Sequence, residues 1–174
     1  MIGLKRGTVK LSPYHAKWPQ EFEKKKKNLQ KIIGDLVIVI EHCGSTAIPG
    51  MIAKPIIDII VGINVLSAGR QITTLMKDAG YDFPKLGNHT KRKFFFAKGP
   101  EEKRTHYIHV VRYQGREWEK TIFFRDYLQS HPAAAQRYTK LKIKLAKKYP
   151  KDRAEYTKAK AVYIKTILQK NNTS

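Results

Sequence analysis

The stretch IEHCGSTAIPGMIAKPIIDIIV, residues 40–61, decides the fold and carries the candidate chemistry of this chain. A tight turn at Gly44-Ser45 separates a strand that ends near Glu41 from a second apolar strand. Glycine lets backbone amides approach an anion, and a small hydroxyl adds a hydrogen-bond donor. Asp58, on the second strand, could hold a magnesium ion that bridges phosphate oxygens. The pattern is therefore typical of a phosphate-binding site.

Asp58 interrupts an otherwise apolar strand, where an ionised side chain is costly unless it has a partner. The partner is a metal ion, a basic side chain such as Lys54 or Arg92, or backbone amides, and the sequence favours neither a salt bridge nor a role as metal ligand or base. Side chains at positions 56, 58 and 60 share one face of the strand. A two-carboxylate metal site would place a second acid at position 60, which is Ile60. This strand therefore supplies one acidic ligand and not two.

Three histidines lie near this region of the chain. His106 and His109 belong to the predicted strand THYIHVV, and their spacing places them on opposite faces of it. His109 shares its face with Tyr107, whereas His42 lies beside the Gly-Ser turn. A histidine within a strand is more often a hydrogen-bonded structural residue than a ligand, so both interpretations stay open.

The segment FFRDYLQSHP, residues 123–132, places Arg125 and Asp126 in an amphipathic helix. One interpretation is a packing helix that carries a salt bridge. The other is that Arg125 reaches a phosphate, because a guanidinium group can form paired hydrogen bonds with phosphate oxygens. The sequence leaves both interpretations open.

Hydrophobic periodicity predicts one domain over residues 1–170 and a flexible tail at 171–174. An extended segment is predicted at 8–14, and strands are predicted at 36–40, 56–63, 93–97 and 105–113. Helices are predicted at 18–33, at 66–79 and after Gly115, with boundaries at Pro132 and Pro150. In the last helices the expected inward positions are Leu141, Leu145, Ala161, Ile164 and Leu168. This order predicts an α+β domain in which a C-terminal helical layer packs on the sheet.

The chain is strongly basic. Among its 174 residues, 35 lysines and arginines face 14 acids, which gives a net charge of +21. Such a charge attracts polyanions, so nucleic acid is a candidate partner. Lysine greatly outnumbers arginine and lies mostly on helical stretches, which favours a solvated surface over a dedicated nucleic-acid groove.

The remaining composition indicates a cytoplasmic protein. The single cysteine, Cys43, excludes an internal disulfide and fits a reducing compartment. The apolar stretches are too short to span a bilayer, and the N-terminal residues lack the apolar core of a secretory signal. No membrane association is expected, and the sequence does not indicate an oligomeric state.

Several motifs, in the same order along the chain, resemble those of the GrpB family. The run EHCGSTAIPGMIAKPIIDI resembles the family signature, and VKLSPYHAKWPQEF resembles the family's opening segment. Further matches are Arg92 to Phe96, Arg104 to Val111, the stretch FFRDYLQSHPAAAQRYTKLKIKLA, and the Tyr156 and Lys160 pattern. The resemblance covers nearly the whole chain.

This resemblance implies a nucleotidyltransferase-like mixed β-sheet with flanking helices, of the DNA polymerase beta-like superfamily. Relatives in that superfamily carry a Gly-Ser turn, then a strand with two paired acids, and a third carboxylate on a later strand. Here Gly44-Ser45 and Asp58 occupy the matching places, Ile60 replaces the second acid, and His109 is the polar candidate on the later strand. The departure puts two-metal nucleotidyl transfer in doubt, since function depends on the site and not on the fold.

Three functions are compatible with these observations: an enzyme that transfers a nucleotidyl or phosphoryl group, a non-catalytic nucleotide-binding module, and a nucleic-acid binder. In the enzyme, Asp58 and His109 are the catalytic candidates, and Glu41, Asp58 and His109 are the candidate ligands of Mg²⁺ or another divalent metal. The candidate contacts to a nucleotide or other phosphate-bearing small molecule are Gly44, Ser45, Thr46, Lys54, Arg92, Arg104 and Arg125, and further candidates are His42, His106 and Lys142.

Overall fold

The computed structural model describes residues 2–84 and 93–170, so the predictions for Arg92 and for the tail at 171–174 lie outside the described residues. The described helices are α1 (Trp18–Ile33), α2 (Gly69–Asp78), α3 (Arg116–Ser130), α4 (Pro132–Lys148) and α5 (Arg153–Gln169). The described strands are β1 (Val39–Cys43), β2 (Ile57–Ile63), β3 (Lys93–Lys98) and β4 (His106–Arg112). Short 3₁₀ turns occupy Gly34–Leu36, Ser45–Ala47, Leu66–Ala68 and Glu101–Lys103.

The four strands form one mixed sheet in the order β1-β2-β4-β3. β1 and β3 run antiparallel to their neighbours, whereas β2 and β4 run parallel to each other. In the register, Asp58 lies between Cys43 and Tyr107, and Ile60 lies between Glu41 and His109. Paired residues project to the same face of a sheet, so all six of these side chains share one face. The α+β class with a mixed sheet is confirmed.

The opposite face of the sheet forms the main hydrophobic core against α1 and α2. Alternate side chains of β2, from Ile57 to Ile63, are fully buried there. Each buried branched side chain contributes about 1.5–3 kcal/mol relative to exposure. The helical residues that pack on this face are Trp18, Phe22, Leu29 and Ile33 of α1, with Ile72 and Met76 of α2. The predicted bounds of α1 are confirmed.

The C-terminal helices cover part of the first face. Trp118 of α3 packs against Cys43, Ile60 and Val111 near the middle of the sheet. A second cluster joins α3, α4 and α5 through Leu128, Ala134, Tyr138 and Ile167. Asp58, near the end of the face, keeps a side-chain exposure of 34% and borders a cavity between the sheet and these helices.

Two details of the sequence prediction were wrong. The first strand runs Val39–Cys43 and not 36–40, because Gly34–Leu36 forms a 3₁₀ turn and β1 pairs with residues 58–62 of β2. Ala161 is exposed, because α5 packs inward through Tyr156 and Ile167. Position 161 lies about 140° around the helix from position 156, so both cannot face the core.

None of the helices in the described ranges has both the length and the apolar character that crossing a bilayer requires.

Candidate functional site

The turn after β1 brings the backbone directly against Asp58. Gly44 has φ +68° and ψ −172°, a conformation that is essentially restricted to glycine. A Cβ atom at this position would lie 2.7 Å from Asp58 Oδ2, which is closer than carbon and oxygen atoms normally approach. Ser45–Ala47 then forms a single 3₁₀ turn. Glycine therefore allows both the turn and its close contact with the carboxylate.

Asp58 and His109 meet on the same face of neighbouring strands. His109 Nε2 lies 3.7 Å from Asp58 Oδ1, and its ring packs on Phe95 with centroids 5.2 Å apart. Burial alone would raise the pKa of Asp58, but hydrogen bonding and charge from His109, together with Lys54, lower that pKa below its usual range. Asp58 is therefore a carboxylate at neutral pH.

Asp58 forms one wall of a cavity of about 360 Å³. The turn contributes Gly44, Ser45 and Thr46, while the facing walls come from α3, α4 and α5. The apolar part of the lining is Ile56, Phe124, Ile164 and Leu168, and the aromatic hydroxyls are Tyr107, Tyr138 and Tyr156. The volume falls within the range of small-molecule sites, which is about 300–1,000 Å³.

Five basic side chains line this cavity: Lys120 of α3, and a group of four, Lys54, Lys142, Arg153 and Lys160, which contact aromatic rings. Lys142 of α4 is only 1% exposed, and its Nζ donates hydrogen bonds to Ser45 Oγ at 3.1 Å and to the Ile52 carbonyl. This contact ties the C-terminal helices to the Gly-Ser turn.

Aromatic rings, and not acids, hold these cations in place. Lys160 Nζ lies 4.4 Å from the centre of the Tyr156 ring, and the Arg153 guanidinium lies 4.6 Å from that of Tyr107. Arg153 also donates a hydrogen bond to the Tyr107 hydroxyl. In residues 2–84 and 93–170, no carboxylate oxygen lies within 4.0 Å of any of the four cationic groups. Cation–π contacts stabilise a cation without neutralising it.

The charge in the cavity is therefore unbalanced. Burial, with the charges of Arg153 and Lys160, lowers the pKa of Lys54 to about 7. Burial lowers the pKa of Lys142 to about 7 and that of Lys160 to about 8. Against these groups, Asp58 is the one carboxylate in the described part of the lining. An anion bound here would remove repulsion between the cations.

Arg125 and Glu41, both predicted site residues, bind each other at the edge of the sheet. Arg125 Nη1 donates to Glu41 Oε2 at 2.9 Å and to the His42 carbonyl at 2.8 Å, while Nε donates to Asp126 at 2.7 Å. The salt-bridge interpretation of Arg125 therefore describes the structure. Glu41 lies across Ile60 from His109 in the register, and this separation keeps it from joining Asp58 and His109 in one ligand group.

Arg104 and two histidines lie away from the cavity. The buried Arg104 guanidinium donates to Asp82 and to the Gly99 carbonyl. His106 lies on the core face, opposite His109 as predicted, and burial lowers its pKa to about 3. Burial likewise lowers the pKa of His42 to about 4, and its Nε2 lies 2.9 Å from Thr46 Oγ1. None of these three residues is part of the cavity lining.

The donor set fits a metal that arrives with its ligand, but it does not fit a metal held by protein groups alone. Among the described residues, no three His, Cys, Asp or Glu side chains form a metal-binding group. Mg²⁺ in phosphate sites is often held by one or two carboxylates, phosphate oxygens and water. Asp58 can fill the carboxylate role, while the surrounding cations disfavour any site without phosphate.

Comparison with known proteins gives consistent results. A family model described as GrpB protein matches residues 8–170. A protein named glutamate-rich protein GrpB from Alkalihalophilus pseudofirmus is 40% identical, covering 97% of this chain and 98% of that protein. The UPF0157 protein YqkA of Bacillus subtilis is 38% identical over 91% of this chain, but the chain spans only 46% of that protein.

Solved structures agree with these relatives. The crystal structure of conserved protein GrpB from Enterococcus faecalis matches with a TM-score of 0.82 and 30% identity, covering 92% of this chain and 96% of that one. Cid1 poly(U) polymerase, solved with MgGTP bound, matches with a TM-score of 0.51 and 13% identity over 78% of this chain and 44% of Cid1. At that identity the likeness establishes the nucleotidyltransferase-like fold alone.

Proposed function

Since this chain belongs to the GrpB family and has a nucleotidyltransferase-like fold, we propose that its cavity binds a nucleotide or a related phosphate-bearing small molecule. The observation that carries the proposal is the set of four cations, Lys54, Lys142, Arg153 and Lys160, around a Gly-Ser turn. None of the four is neutralised by a carboxylate within 4.0 Å among the described residues. Phosphate supplies the missing negative charge.

Each part of the cavity has a role in this proposal. The turn at Gly44-Ser45 exposes backbone amides to a phosphate, while Lys142 holds the Ser45 hydroxyl beside them. Arg153 and Lys160 enter from α5 and neutralise phosphate oxygens. Where Mg²⁺ accompanies the ligand, Asp58 is the protein carboxylate that would hold it, and the ion would neutralise further phosphate charge.

Transfer of a nucleotidyl or phosphoryl group is a second candidate function, favoured by the contact between Asp58 and His109. An ionised carboxylate beside a histidine, at the wall of a phosphate cavity, can accept the proton of an attacking hydroxyl. Turnover of labelled nucleoside triphosphate, lost in Asp58→Ala, would support transfer. An active Asp58→Ala variant would exclude this role for Asp58.

The first test compares two lysines of the same helix by calorimetric titration with ATP and with inorganic tripolyphosphate. We expect Lys160→Met to weaken binding of both ligands by about tenfold or more, because one charged hydrogen bond contributes about 1.5–3 kcal/mol. Lys158→Met is the matched control, since Lys158 is 79% exposed, pairs with Glu155 and does not line the cavity. Equal losses in the two variants, or no binding by the wild type, would contradict the proposal.

The second test changes Asp58 to asparagine, and here the expected change is stronger binding of tripolyphosphate instead of weaker binding. Without Mg²⁺, we expect Asp58→Asn to bind tripolyphosphate about threefold or more tightly, because a carboxylate that repels the anion is removed from the cavity. With Mg²⁺, the variant should lose the gain in affinity that the wild type shows. Titrations with and without Mg²⁺ measure both effects. Weaker metal-free binding by Asp58→Asn would show that Asp58 does not face the ligand.

Nucleic acid remains a candidate partner because of the net charge of +21. Affinity for RNA or DNA that falls steeply with salt, but is unchanged by Lys160→Met, would assign that binding to the exterior and not to the cavity.

A further inference from the structure

Lys54 occupies a fixed position at the entrance to β2. The flanking backbone is held by Ala53, which exchanges hydrogen bonds with Ser12, and by Pro55, which precedes the strand. The side chain is half-buried and lines the cavity near Asp58. Its amine therefore reaches the same space that the proposed phosphate ligand would occupy.

Three of the cavity lysines, Lys54, Lys142 and Lys160, differ in what holds their amines. Lys142 Nζ donates two hydrogen bonds, and Lys160 Nζ lies 4.4 Å from the Tyr156 ring centre. Among the described residues, neither Lys54 Nζ nor Lys160 Nζ has a hydrogen-bond partner, but Lys54 Nζ lies farther from the Tyr156 ring centre, at 5.6 Å. Of the three, Lys54 therefore has the amine that its neighbours constrain least.

The surroundings of Lys54 also favour its neutral form. Arg153 and Lys160 of α5 and Lys142 of α4 all act on it with positive charge, and Asp58 of β2 partly offsets them. Burial and these charges lower its pKa to about 7, so about half of the amine is unprotonated at neutral pH. A lysine that is desolvated beside other cations is a recognised kind of activated nucleophile.

We propose that Lys54 is a nucleophilic amine that forms an imine with the carbonyl group of a phosphate-bearing ligand. The inference rests on the proposed function, because the neighbouring cations would bind the phosphate and thereby place the carbonyl carbon beside Nζ. The ligand class is thus a phosphorylated aldehyde or ketone.

The reaction is balanced without any oxidant or reductant. The Nζ lone pair adds to the carbonyl carbon, nitrogen releases one proton, and the carbonyl oxygen takes one up to give a carbinolamine. Loss of that hydroxyl together with the second nitrogen proton, as water, leaves a C=N bond between Lys54 and the ligand. Asp58 is close enough to influence these proton transfers by its charge.

Pyridoxal 5′-phosphate followed by borohydride is the probe, since the hydride reduces the imine to a stable secondary amine. We expect peptide mass mapping to find Lys54 labelled at least about tenfold faster than exposed lysines such as Lys158, and tripolyphosphate to protect it. Pyridoxal without the phosphate should label Lys54 at least about tenfold more slowly. Lys54→Arg keeps the positive charge but has no amine that can form the imine, so it should lose this label.

The two proposals fail in different ways. Tripolyphosphate binding by the wild type, combined with labelling spread over exposed lysines or directed to Lys142 or Lys160, would overturn the inference alone. Absence of tripolyphosphate binding by the wild type would overturn the proposed function. Labelling of Lys54 at equal rates by pyridoxal and by pyridoxal 5′-phosphate would overturn the inference about Lys54. A thermal unfolding curve of Lys54→Arg verifies that the variant is folded.

Discussion

Lys142→Met should raise the free energy of unfolding by about 2 kcal/mol at pH 7 and weaken tripolyphosphate binding by about 30-fold. Lys142 is 1% exposed, and burial lowers its pKa from 10.5 to about 7. Keeping such a group in the protein costs about 4 kcal/mol at neutral pH. Methionine fills a similar volume without charge, but the lost hydrogen bonds to Ser45 and Ile52 return about half of that gain.

The sign of the pH dependence follows from the lowered pKa of Lys142. The folded protein binds fewer protons than the unfolded chain between about pH 7 and 10.5, so the stability of the wild type rises with pH in that interval. The destabilisation is complete below pH 7 and disappears above 10.5. The stability advantage of Lys142→Met should therefore be largest at or below pH 7 and should shrink as the pH rises. Lys54 and Lys160 titrate in both proteins, so their contributions to the pH dependence of stability largely cancel when the two proteins are compared.

Chemical denaturation at pH 6, 7, 8 and 9 measures this effect, and the melting temperature at pH 7 should rise by about 4–8 °C. Lys144→Met is the matched control, because Lys144 lies on the same helix and is exposed. Its stability should change by no more than about 0.5 kcal/mol. If Lys142→Met is less stable than the wild type, or if its stability advantage over the wild type grows with pH, the buried amine does not destabilise the fold. Stability and ligand binding thus oppose each other at this residue.

Most of the fold could be predicted because its elements have strong local patterns. The apolar spacing of α1 matches its observed span, and the run from Ile57 to Ile63 has the composition of a buried strand. The first strand was misplaced because residues 36–40 are all apolar, whereas residues 39–43 include Glu41 and His42, and the pairing with β2 still places the latter in the sheet. Pairing is a tertiary interaction that no local pattern encodes.

The site was predictable only where its residues are close in sequence. Gly44, Ser45 and Asp58 belong to one strand-turn-strand unit, and their contact follows from the connection. Arg153 of α5 enters the cavity from nearly a hundred residues away, and a basic residue in a lysine-rich helix gives no signal of its own. Arg125 could not be assigned from sequence for the same reason, since its partner Glu41 lies in a distant strand.

Gly44→Ala should lower the free energy of unfolding by about 3–4 kcal/mol and weaken tripolyphosphate binding by at least about tenfold. A backbone conformation reserved for glycine costs another residue about 1–3 kcal/mol. The new methyl group would also lie 2.7 Å from Asp58 Oδ2 and 3.0 Å from Asp58 Cβ, so either the carboxylate or the turn must move. Movement of the turn would displace Ser45, and movement of the carboxylate would change the cavity wall, so in either case stability and binding should fall together.

Gly50→Ala separates the two causes of this effect. Gly50 also has a positive φ, +74°, but a Cβ atom there would meet no heavy atom within 4 Å. It should therefore lose only about 1–2 kcal/mol, from backbone strain alone, and should keep its affinity for tripolyphosphate. Denaturation and calorimetric titration of both variants give the comparison. The expected difference in stability between the two variants, about 2 kcal/mol, would be the cost of disturbing the contact between the turn and Asp58. Equal losses of stability, or normal ligand binding by Gly44→Ala, would mean that this close approach does not shape the site.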